Sequence, residues 1–114
     1  MEGSPMEKLT FSTNWNNKLN SQYFTTIRLS GRFKVDDLVE VEDRGVAKGV
    51  YQIIDKRRMD NYTKINDWMA YLDTGYNADE TRKILDNMYK SVNLASQPIY
   101  YYLVGKYQKK PSKS

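Results

Sequence analysis

Thr26 and Arg28 lie two residues apart in a segment that reads as a β-strand, so they share one of its faces. A polar pair is out of place there, because the faces of a strand in a small domain are half-buried and normally apolar. The chemistry these two side chains offer is recognition. A guanidinium can make bidentate hydrogen bonds to a phosphate or to the edge of a base, and a threonine hydroxyl adds a donor or an acceptor. The structural alternative for Arg28 is an ion pair with Asp37 or Glu40. Trp15 and Lys18 sit in a polar stretch rich in asparagine (Asn14, Asn16, Asn17, Asn20), where packing does not readily account for a tryptophan.

Catalytic alternatives are few. The chain has no Cys and no His, which removes disulfides, zinc sites built on those residues, thiol nucleophiles and histidine-based triads. Ser12 and Ser21 flank Lys18, a proximity that is common by accident. Asp36, Asp37, Glu40 and Glu42 alternate along a strand, so they cannot all face one ion, and no metal or other cofactor is expected. Gly45 and Gly49 lack the spacing of a phosphate-binding loop. In the run Tyr100-Tyr101-Tyr102, alternation turns Tyr101 away from its neighbours. Strand aromatics can stack bases, but sheet packing is their commoner use.

The elements that must position these residues follow from periodicity. The chain has 114 residues, 39% of them hydrophobic and ten of them Tyr, enough for one domain that buries about two-thirds of its surface on folding. Glu7 to Ser12, Phe24 to Leu29, Leu38 to Glu42, Val46 to Lys56 and Ile99 to Val104 read as strands, with Gly49 marking a bulge or a close approach. Thr13 to Ser21 is a loop or a short helical turn. Ile65, Trp68, Met69 and Leu72 form a helical stripe that predicts a core face, with Gly75 at its C-terminal cap. Asn77 with Glu80 opens a second helix whose apolar face is Ile84, Leu85 and Met88. The fold class expected is mixed α+β: a small closed barrel with two helices inserted before the last strand. Ile27, Val39, Val41 and Ile53 should fill its core. Residues 1–5 read as a frayed start, 6–105 as the domain and 106–114 as a basic tail.

The net charge is +4, and Lys106, Lys109, Lys110 and Lys113 account for it, leaving residues 1–105 balanced. The tail reads as a solvated terminus. No apolar run is long enough to span a bilayer and no secretory signal is evident, so a cytoplasmic location without a membrane partner is expected.

The stretch Leu19 to Arg28, followed by Phe33 to Val41, resembles the signature of the ASCH family, a branch of the PUA-like barrels: G-x-K-x-x-T-x-R, an aromatic, then a G-D-hydrophobic strand. Thr26 and Arg28 match its Thr and Arg, and Asp37 with Leu38 and Val39 matches its second half. Ser21 stands for its Gly and Tyr23 for its Lys. In the members that hydrolyse N4-acetylcytidine, that Lys is the proposed catalytic residue, assisted by a downstream Glu. Here no Glu lies between Glu42 and Glu80, and Asp55 is the nearest substitute. The resemblance therefore implies non-catalytic binding of RNA or a nucleotide-like ligand, with Trp15, Lys18, Tyr23, Thr26 and Arg28 bordering the cleft and Tyr23 stacking a base. Two other readings stay open: a hydrolase acting on a modified nucleoside, and a protein-interaction module. The oligomeric state is not legible.

Overall fold

Alternating apolar residues produce five strands, β1 (Glu7–Phe11), β2 (Tyr23–Arg28), β3 (Leu38–Asp43), β4 (Val46–Met59) and β5 (Ile99–Lys106), and two helices, α1 (Asp67–Thr74) and α2 (Ala78–Met88), lie between β4 and β5. The computed structural model describes residues 7–107, the side chains of 15–17 excepted. The expected start at residues 1–5 and most of the basic tail lie outside that range. Lys106, assigned to the tail by composition, instead ends β5, and Tyr107 donates its N–H to Val50 O.

The strands form one sheet in the order β1-β3-β4-β5-β2. β1 runs parallel to β3, and every other pair is antiparallel. Register shifts between Val41 and Glu42 and between Ile53 and Asp55 mark two bulges, which increase local twist. Gly49, at φ 120°, sits at the first of them, a conformation that a side chain rarely adopts. The sheet is not closed. β1 and β2 are its two edges, so the closed barrel expected from the strand pattern is corrected to a five-stranded open sheet.

One face of the sheet buries Leu9, Phe24, Val39, Val41, Ile53, Tyr102 and Val104, capped by Leu19 and Phe33. The other buries Ile27, Ile99 and Tyr101 against Ala70, Ala78 and Leu85 of the helices. Ile27 thus leaves the core in which it was expected, because β2 is buried on both faces and odd positions turn toward the helices.

Both helices begin where the sequence places their caps. Asn66 Oδ1 accepts from Met69 N and Asn77 Oδ1 from Glu80 N, and Gly75 ends α1 at φ 85°. The buried face of α1, however, is Ala70, Asp73 and Thr74. Trp68 is 70% exposed, contrary to its expected place in the core. Small residues win that face because they let the helices approach closely: the Thr74 and Thr81 hydroxyls meet at 2.7 Å. No helix among the described residues is long and apolar enough to cross a membrane.

Candidate ligand pocket

The two open edges of the sheet meet across a seam, and arginines fasten it. Arg28 Nη2 donates to Thr10 O at 2.8 Å and Arg32 Nη2 to Lys8 O at 3.3 Å. Arg32 also pairs with Glu7 at 3.2 Å. Two alternate carbonyls of β1 are thus satisfied by guanidinium groups where a closed sheet would supply backbone N–H groups.

A pocket of about 190 Å³ opens at this seam. Thr26 and Arg28 enter it from β2, Thr10 and Phe11 from β1, and α2 supplies an apolar wall through Ile84, Leu85 and Met88. Arg28 Nε donates to Thr26 Oγ1 at 3.1 Å, and its guanidinium lies 4.5 Å from the Phe11 ring centre. Lys18 reaches the same pocket from the 3₁₀ turn Trp15–Asn20, with Nζ 5.5 Å from that ring. There it meets Asp73 Oδ1 of α1 at 2.8 Å, and Thr25 Oγ1 donates to the same oxygen at 3.4 Å. The Lys18 and Asp73 side chains are only 5% and 7% exposed.

Burial governs the electrostatics. It pushes the Lys18 amine below its usual value while Asp73 opposes the shift, and it pushes the Asp73 carboxyl up against the pull of Lys18. It also lowers the Arg28 guanidinium, with Tyr89 and Asp73 opposing. Two cations and one carboxylate leave the pocket net positive. Backbone groups add neutral partners. Lys106 N donates to Gln22 O at 2.8 Å, which fixes the phase of the β2–β5 ladder. Phe24 and Thr26 therefore turn their backbone groups to β5, and Thr25 and Ile27 turn theirs toward the seam.

Of the residues expected at the cleft, the structure brings Lys18, Thr26 and Arg28 together. Tyr23 is elsewhere, on the helix-side face of β2 with its ring over Gly105. The side chain of Trp15 is outside the described residues. The expected ion pair of Arg28 with Asp37 or Glu40 does not form: Asp37 accepts from Lys34 N, and Arg28 bonds to Thr26 and Thr10. Asp55, the substitute for the missing Glu, lies in a second groove, paired with Arg57 at 3.4 Å. Asp73 was missed, because an acid on a helix 55 residues from Lys18 leaves no local signal.

Comparison of the chain with protein-family models, with curated proteins and with solved structures gives no match.

Proposed function

We propose that the pocket at the seam binds RNA or a nucleotide-like ligand without catalysis, in a curled sheet of PUA-like kind. The observation that carries this reading is Arg28, a half-buried guanidinium that borders an open, net positive pocket. Its bonds to Thr26 and Thr10, among the described residues, use two of the five N–H groups that a guanidinium carries. Thr26, the backbone of Ile27 and the apolar wall of α2 supply what a flat heterocycle would meet. A splayed-out base, stacked and read at its edges, is the usual object of RNA recognition.

The test compares Arg28→Ala with the wild type in calorimetric titrations of single-stranded RNA and of nucleoside monophosphates. The expected loss is about 1–3 kcal/mol, the range for a hydrogen bond to a charged group. Removing the chain after Tyr107 should reduce only the salt-sensitive, sequence-independent part of RNA binding. If Arg28→Ala lowers the melting temperature and leaves binding untouched, Arg28 is a fastener of the seam and the reading fails.

One observation favours a second reading, hydrolysis of a modified nucleoside. Lys18, Asp73 and Thr25 place an amine, a carboxyl and a hydroxyl in one buried cluster. Tyr23 and Asp55 do not stand in for the residues of the resembling enzymes, being outside this pocket. The expected result is no acetate release from N4-acetylcytidine by the wild type. Turnover that vanishes in Thr25→Val would install the second reading in place of the first.

A further inference from the structure

A second concavity, of about 540 Å³, lies on the helix side of the sheet. The helices cover only part of that face. Leu103 of β5 stays half-buried on its floor, and Trp68 and Leu72 of α1 form a wall with 70% and 52% of their surfaces exposed. Exposed Tyr23 and Ile54 extend the apolar area across Gly105, where both side chains crowd the backbone. A contiguous apolar area of this kind on a small domain marks an interaction surface.

The charges beside it identify the occupant. Asp55 and Arg57 stand on one strand at the edge of the groove, an acid and a base two residues apart, both accessible. The rim therefore carries no net charge, which disfavours a nucleic acid strand, since that needs an excess of cations. A two-fold axis brings a patch against its own copy, so a patch of one sign repels itself. One that holds both signs can set each acid against the partner's base. We infer that this face is the contact between two copies of the chain, with Trp68, Leu72 and Leu103 at its centre and Asp55 facing Arg57 across the axis in both directions.

Sedimentation equilibrium of the full chain, from micromolar to millimolar, should show the mass rising from one chain to two. Leu72→Asp should weaken the dimer by about tenfold or more, the mark of a central interface residue. Because Leu72 is exposed, its circular dichroism should be unchanged, and Trp68→Ser repeats the test without a new charge. Arg57→Asp and Asp55→Arg should each weaken self-association, and an equimolar mixture of the two should restore a dimer of mixed composition. A wild type that stays monomeric at every concentration overturns the inference. So does a dimer indifferent to Leu72→Asp, Trp68→Ser and both charge reversals, which would place the contact elsewhere. A monomer that takes up single-stranded RNA through Trp68 also overturns it and assigns the groove to nucleic acid.

Discussion

Replacing Lys18 with methionine is expected to cost the fold about 3–5 kcal/mol, read as a lower urea midpoint at neutral pH. Methionine fills much of the same volume, so the loss comes from Asp73, left buried without its cation 2.8 Å away. Against a total stability of about 5–15 kcal/mol for a domain, that is a large share. The pH dependence has a definite sign. Burial holds the Asp73 carboxyl above its ordinary 3.8. Its contribution to stability is then complete below that value and is lost as pH rises through the folded-state value. The Lys18→Met deficit relative to wild type should accordingly shrink as the solution is acidified. Lys18 runs the other way: its amine is held below 10.5, so an Asp73→Leu chain should recover relative to wild type as pH rises toward that value. The double variant Lys18→Met/Asp73→Leu should regain most of either loss and show neither dependence. If the double variant is no better than the worse single one, the pair is not the electrostatic unit described.

Tyr102→Ala should be comparably damaging, at about 3–5 kcal/mol, the range for deleting a buried aromatic ring. Tyr102 is fully buried in the centre of β5, with Phe33 edge-on at 5.6 Å and Tyr100 stacked at 6.4 Å. Its hydroxyl donates to Ser30 O at 2.7 Å and so pins the segment between Arg28 and Arg32. Tyr102→Phe isolates that bond and should cost about 0.5–1.5 kcal/mol in the same unfolding experiment. Equal losses for both variants would mean that the ring packs loosely and the hydroxyl alone matters.

Strand positions, both asparagine caps, the αL glycine at 75 and the division of Tyr101 from Tyr100 and Tyr102 were legible because each depends on neighbours a few residues away. Tyr101 does turn to the helices, donating to Met69 O at 3.1 Å. What depended on distant partners was not legible. The Trp68–Leu72 stripe has the right period for a core face, yet period does not reveal that Ala70 and Thr74 fit α2 more closely. Tyr23 matches a motif position in order along the chain but points to the face that holds Thr25 and Ile27, away from the pocket. Lys18 was singled out without its partner, since nothing around Asp73 distinguishes it from a solvent-facing helical acid. Closure of the sheet failed for a related reason: strand count and spacing do not say whether the edges meet through backbone or through arginine side chains.

The strand order has a consequence for how the molecule comes together. β5 is the last strand made, yet it lies between β4 and β2 and is the only strand that pairs with β2. Until residues 99–106 exist, β2 has no neighbour to bond, and Tyr23 must wait for Gly105. Contacts between residues so far apart in sequence close late, because the loop entropy must be overcome before the pairing returns anything. A chain emerging from the ribosome therefore holds β1, β3 and β4 as a sheet with a raw edge, and its helices have no Tyr101 to rest on. Thr26 and Arg28 take their places only when β5 enters. The recognition site and the fold are thus completed in one event, and no shorter nascent chain carries a site in working order.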